Sequence, residues 1–282
     1  MLSCYTTNLI GHLWREDPAV EDRFAAAVDL SVRTDLPDGT LAFTHHRSFA
    51  PDMGYRSAAA WDSAHAALVE EFERDGDVLA VANARNLPWS PAWNTQDVPH
   101  WIRLADRRMG RWLVVDGFDA LLPLGHHEPH RSWVDDAALS ELLAPLPPLP
   151  AAVHQRDVHA LGGPQAVPPP HLYRWLEHGA RHRPEEGHWV HGTSAALTWL
   201  AERLAEDQEA LRQHTEDLWA AGRHHQFRMA EDEKAVAAWS ELARSLRFAV
   251  ESADRGRPRP TLITRAFDQV IDATGVGTGA RS

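Results

Sequence analysis

Apolar residues recur along this chain with two periods, and the balance between them changes near its middle. In LSCYTTNLIGHLW, Leu9, Ile10 and Leu13 fall on one helical face, and Ser3 stands where a hydroxyl can satisfy free first-turn N–H groups. SAAAWDSAHAALVEEFERDG predicts a second helix, with Trp61, Ala64, Leu68 and Phe72 as its apolar stripe and Gly76 as its stop. DVLAVANARNL reads as a buried strand. HWIRLADRRMGRWLVVDGFDALLP reads as a hairpin turning at Arg107–Gly110. The run LAPLPPLPAAVHQRDVHALGGPQAVPPPH is rich in proline and glycine, so an ordered linker without regular structure is expected there.

From His171 onward helical spacing dominates. Trp199, Leu200, Leu204 and Leu211 form one apolar face, and Trp239, Leu242, Leu246 and Val250 form another. The expected organisation is therefore an α+β domain over 1–145, a linker over 146–170, a helical domain over 171–274 and a disordered tail over 275–282. A cleft is expected near the junction of the two domains.

Composition narrows the function. Apolar residues are 44% of the chain and charged residues 24%, as in ordinary globular proteins. A net charge of -12 argues against nucleic acid and against an anionic membrane as partners. Lys234 is the only lysine among the basic residues, which reads as the codon bias of a GC-rich genome. No apolar run reaches the ~20 residues of a membrane span. No signal peptide is expected, and with a single cysteine the expected compartment is the cytoplasm.

That cysteine, Cys4, opens the first predicted helix, where the positive end of the helix favours a thiolate. A small buried hydrophobe is the alternative reading. A nucleophilic cysteine needs a histidine to move its proton and a third group to orient that histidine. His100 begins one strand of the hairpin and Asp116 ends the other, so antiparallel pairing can set them side by side. Asp119 is a rival for the third role, and Asp106 a weaker one. Trp89 and Trp93 flank a Pro-containing turn before His100; they either wall a pocket or brace the loop. GHHEPHRSW carries His126, His127, Glu128 and His130, but Pro129 breaks the helix that an i, i+4 histidine pair would need. No metal site is expected there.

The stretch VLAVANARNLPWSPAWNTQDVPHWIRLADRRMGRWLVVDGFD resembles the core of the acyltransferases typified by the butirosin side-chain acyltransferase. In that family a strand leads to an LPY-x-PAY-like loop, here Leu87, Pro88, Trp89, Ser90, Pro91, Ala92 and Trp93. A His–aromatic strand and a strand ending in Asp follow. The Cys-x-x-Thr opening corresponds to Cys4 and Thr7. The resemblance implies a papain-like (C39-peptidase-like) cysteine protease fold followed by an all-helical accessory domain. It implies acyl transfer from the phosphopantetheine thioester of a carrier protein to an amine, with Cys4 as nucleophile, His100 as base and acid, and Asp116 as orienting carboxylate. In size and composition the chain resembles the condensing enzymes of lincosamide antibiotic biosynthesis, which implies an aminoacyl donor and an amino-sugar acceptor.

Substrate contacts are then expected from Tyr5, Trp89, Trp93 and Asn94. Carrier docking is expected at the basic clusters with Arg223 and Arg228, or with Arg255 and Arg257. No cofactor is expected on the enzyme itself, and a homodimer is left open. Papain-like enzymes place a Gln or similar oxyanion donor several residues before the cysteine, and only Met1, Leu2 and Ser3 precede Cys4. The alternative function is a cysteine peptidase or amidase that uses the same three residues with water as acceptor.

Overall fold

A computed structural model describes residues 2–49, 53–179 and 186–275. In chain order its helices are α1 (Cys4–Leu13), α2 (Val20–Ala27), α3 (Trp61–Asp75), α4 (Asp136–Leu142), α5 (Ala151–His159), α6 (Thr193–Glu206), α7 (Gln208–Arg228), α8 (Glu233–Asp254) and α9 (Pro260–Thr274). Its strands are β1 (Val28–Arg33), β2 (Ala42–His46), β3 (Met53–Ala58), β4 (Val78–Asn83), β5 (Pro99–Arg108), β6 (Arg111–Asp116), β7 (Ala120–Leu122), β8 (Gly125–His127), β9 (His130–Asp135), β10 (Tyr173–His178) and β11 (Trp189–Val190). The class is α+β with antiparallel sheets. Among the described residues no helix is long and apolar enough to cross a membrane.

The chain forms two compact units, one from residues 1–23 and 48–184, the other from 24–47 and 185–282. The first is built on a six-stranded sheet in the order β3-β10-β4-β5-β6-β9. Period-two patterning gives this sheet two different faces. Ala80, Ala82, Ile102, Leu104, Trp112 and Val114 pack with Ala64 and Leu68 of α3 and Leu139 and Leu142 of α4. The intervening residues meet α1: Tyr5 stacks on Trp101 at 4.7 Å, and Arg103 lies against Gly11, where a Cβ would meet its guanidinium at 2.9 Å. The β5–β6 hairpin turns at Met109 and Gly110, both with positive φ (50° and 70°), as a two-residue primed turn requires.

Two expectations are corrected within this unit. The Pro-rich stretch contains α5, because its prolines flank the segment AAVHQRDVH instead of interrupting it and Pro150 stands at the N-cap. Asp157 of α5 is fully buried, held by Arg174 at 2.8 Å and by the Tyr5 hydroxyl. The segment after His171 is first a strand, not a helix. YRWLEH is β10, paired with both β3 and β4. A division into units at residue 145 is therefore not the one observed.

The second unit combines a small sheet, β11-β1-β2, with α6 to α9. Leu197, Leu200 and Leu204 of α6, Leu211 and Leu218 of α7, Trp239, Leu242 and Leu246 of α8, and Phe267 of α9 form its core with Leu30, Val32 and Phe43. α9 begins with Pro at N1 and ends at Gly275 in the left-handed conformation. The expected tail spans 275–282; Gly275 closes α9, and 276–282 lie outside the described residues.

This second core holds histidines. His46, His224 and His225 are buried, and His225 lies flat on Trp239 at 4.4 Å. Burial lowers the pKa of His225 to about 3, helped by Arg228 and His45. It also lowers His224 well below its ordinary value, helped by His45, His46, His225 and Arg223. Above pH ~6.5 these imidazoles are neutral in the folded and unfolded chain alike. Below that pH the unfolded chain takes up protons that the folded unit refuses. Stability should fall by about 1.4 kcal/mol per pH unit for each such histidine, down to about pH 3 for His225. Urea unfolding followed by tryptophan fluorescence between pH 7.5 and 4 should show this loss, with a shallower slope in His225→Phe. An equal slope in parent and variant would contradict it.

Candidate active site

The first helix is fixed along its length before its cysteine does anything. Ser3 caps α1, its Oγ accepting from the Thr6 N–H at 3.3 Å, and places Cys4 at the first helical position. At the other end His12 Nδ1 lies 2.8 Å from Asp77 Oδ1, and Asp77 is also gripped by Arg103 of β5. In between, Tyr5 reaches Asp157 and Asn8 reaches the sheet. The N-terminus of α1 is thereby aimed at the end of the sheet where β5 begins and β6 ends.

Antiparallel pairing of β5 and β6, with Arg103 opposite Val115, brings His100 and Asp116 together. His100 Nε2 donates to Asp116 Oδ2 at 2.7 Å, and both side chains are buried. Cys4 forms a side-chain hydrogen bond to the same ring. Nε2 is the nitrogen that meets Asp116, which leaves Nδ1 as the ring's other polar atom. Burial disfavours a charged imidazole here, but Asp116 and then Cys4 outweigh it, and the pKa of His100 is pushed up to about 10. The residues expected at sequence level to form one site are thus brought together.

Asp116 receives more than its histidine. Its Oδ1 accepts from Asn8 Nδ2 and from the Phe118 N–H, each at 3.0 Å. Its Oδ2 accepts from Trp89 Nε1 and His127 Nε2, each at 2.9 Å, besides His100. Desolvation opposes the charge of this carboxylate. His100 as cation and the hydrogen bonds from His100, His127 and Asn8 prevail, and the pKa falls far below the usual carboxylate range. Gly117 follows because the chain passes close to α1: a Cβ there would meet Thr7 Cγ2 at 3.2 Å.

Asn8 and His127 were not among the expected site residues. Asn8 had a signal: it is polar, lies one turn after Cys4, and adjoins the apolar pair Leu9–Ile10. In the fold it is buried and uses four polar partners, donating to Asp116 and to the Trp101 and Cys4 carbonyls and accepting from the Gly117 N–H. His127 had no distinguishing signal within GHHEPHRSW. The β7–β8 hairpin folds it inward, while its neighbours diverge: His126 pairs with Asp119 at the surface, and His130 stacks on Trp89 at 3.8 Å. Asp119 is therefore not the third member of the site. Nor is Asp106, whose carboxylate bonds the Arg107 N–H beside the β5 bulge. Among the described residues, the grouping whose ligand atoms lie within 4.8 Å of one another is His100, Asp116 and His127, not the four residues of the histidine-rich run.

The expected substrate contacts separate into two sets. Trp89, Trp93 and Asn94 line one open groove of about 860 Å³ together with Pro88, His130 and Glu141. Trp93 is 49% exposed, and Asn94 sits in the left-handed region at φ 57°. Trp89 lines this groove and also donates to Asp116. Tyr5 is elsewhere: its hydroxyl is committed to Asp157 and its ring to Trp101, so it is a buried strut more than an open contact.

Of the expected docking residues, Arg223 is corrected. It is only 9% exposed and lies over the Trp219 ring at 4.8 Å, because helical spacing turns it into the core of the second unit. Arg228 donates to the Val28 carbonyl at 2.7 Å. Arg255 and Arg257 are exposed.

Compared with protein-family models and with curated proteins, the chain matches none.

Removing Asn8 tests this geometry through stability. Asn8→Ala leaves the Trp101 carbonyl and the Gly117 N–H without this partner and takes one donor from Asp116. A loss of about 1–3 kcal/mol is expected. Asn8→Asp should cost more, because it sets a second carboxylate against the first. Urea unfolding that ranks the two variants in the opposite order would contradict the assignment.

Proposed function

We propose that the protein is an acyltransferase that forms an amide, taking an acyl group from the phosphopantetheine thioester of a carrier protein and passing it to an amine through Cys4. The observation that carries this reading is the chain of contacts Cys4–His100–Asp116 at a helix N-terminus. The fold we propose for the first unit is papain-like. A helix starting with cysteine, packed on an antiparallel sheet whose neighbouring strands carry His and Asp, supports it.

In the first step the Cys4 sulfur attacks the thioester carbonyl carbon as a thiolate. The carbonyl becomes an oxyanion, and the carbon–sulfur bond to pantetheine breaks. His100 gives its Nδ1 proton to the departing thiolate, which leaves as a thiol. At the start of α1 the Cys4 N–H lies outside the intrahelical ladder and is the donor we assign to the oxyanion. In the second step a neutral amine attacks the acyl-cysteine carbonyl. Its surplus proton passes to His100 Nδ1, the bond to Cys4 breaks, and the thiolate–imidazolium pair returns. No oxidant, metal or nucleotide is needed for either step to balance.

The groove beside Trp89 suits the acceptor. Trp93 offers an exposed ring, while Asn94, Ser132 and Glu141 offer polar groups. An amino sugar bound by ring stacking and hydrogen bonds is the acceptor class we favour. An acidic carrier would find Arg255 and Arg257 accessible. The compartment we propose is the cytoplasm.

Intact mass spectrometry after exposure to acyl-loaded carrier protein is the test. The parent should gain the acyl mass on Cys4 and lose it when the amine is added. Cys4→Ala should fold normally, show no adduct, and lose about 10³-fold or more in amide formation. An Ala variant that forms amide at near the parent rate would refute covalent transfer. It would leave His100 as sole base with proximity supplying the acceleration. An adduct that disappears equally fast without amine would instead make the protein a hydrolase that uses water as acceptor.

A further inference from the structure

His127 stands out among the buried polar groups that the two-step mechanism does not use. It is 1% exposed and sits at the end of β8. Its Nε2 is 2.9 Å from Asp116 Oδ2, the oxygen that also takes His100 Nε2 at 2.7 Å. The two imidazoles stack at 4.7 Å and 18°, and Phe118 meets both edge-on, at 5.6 Å from His100 and 5.0 Å from His127.

An ionised carboxylate only accepts hydrogen bonds. Both imidazoles must therefore present an N–H at Nε2. For a neutral His127 this selects one tautomer and leaves Nδ1 as its acceptor side. Two stacked rings sharing one anion cannot both carry charge cheaply. Burial disfavours the charged form of His127, and His100 and His126 act in the same direction, against the pull of Asp116. His100 has the opposite balance, because Cys4 faces it as well. The asymmetry between the two rings comes from what lies on their far sides.

We propose that His127 is a positioning residue that acts through Asp116. As a neutral second imidazole it pins Oδ2 from one side while Trp89 pins it from another, so that His100 stays aimed at Cys4 and remains the ring that carries the proton. This rests on the reading of Cys4 and His100 as the nucleophile–base pair.

The side-chain nitrogen of Gln reaches about as far as Nε2 of His, so His127→Gln keeps the donor. His127→Phe keeps a ring in place and removes the donor. The readout is alkylation of Cys4 by iodoacetamide, followed by mass spectrometry as a function of pH, with thermal melting to confirm folding. His127→Phe should slow alkylation about tenfold or more and shift its pH profile, the scale on which outer hydrogen-bond partners act on a reactive centre. His127→Gln should recover most of the rate and the parent profile. A folded Phe variant with the parent rate and profile would overturn the proposal and leave the nucleophile reading intact. A parent whose Cys4 reacts no faster than free cysteine would overturn both. A third outcome also overturns it: tight one-to-one zinc binding that His127→Phe abolishes, with metal-free alkylation unchanged. The two histidines and Asp116 would then be a metal site.

Discussion

One buried carboxylate organises this molecule's chemistry. Asp116 accepts five hydrogen bonds, from the α1 side chain of Asn8, the loop indole of Trp89, the β5 imidazole of His100, the backbone of Phe118 and the hairpin imidazole of His127. A buried charge is costly unless it is fully met by donors and an opposite charge. Meeting it here draws a helix, a loop, a strand and a hairpin onto one pair of oxygen atoms. The effect on His100 is direct: beside this anion, and with Cys4 acting in the same direction, its pKa is pushed up to about 10. The groove wall is tied to the same anion through Trp89.

The rest of the first unit keeps α1 where that carboxylate needs it. Ser3 sets the helix start, Tyr5 and Asp157 brace its first turn, and His12 with Asp77 and Arg103 secures its far end. Glycine at position 11 lets Arg103 lie flat against the helix, and glycine at 117 lets the chain after Asp116 pass Thr7. These are close-approach requirements, not turn requirements, since neither residue has the positive φ that would demand glycine by itself.

What could be read from sequence follows from distance along the chain. The cap at Ser3, the helix stop at Gly76, the hairpin turn at Met109–Gly110 and the meeting of His100 with Asp116 are local or arise from one hairpin. Periodicity and strand pairing express them directly. Asn8 and His127 join the site across 108 and 11 positions through folds that no local pattern encodes. β10 was hidden for a related reason. Its short run YRWLEH shows no period-two alternation, and pairing with β3 and β4 makes it a strand. In the Pro-rich stretch spacing prevails over composition: nine residues free of proline suffice for α5. Arg223 is buried because a basic run on a helix does not form one surface; helical geometry turns part of it inward.

The charge state of His100 is the most direct test of this account. Nitrogen-15 NMR of imidazole-labelled protein would follow its two ring nitrogens as pH rises. An imidazolium that persists to about pH 10 in the parent and titrates far lower in Asp116→Asn is the predicted result. The substitution removes the charge and turns one acceptor into a donor that faces donors. A parent His100 that loses its proton near pH 6.5, its ordinary value, would contradict the claim that Asp116 holds it charged against Cys4.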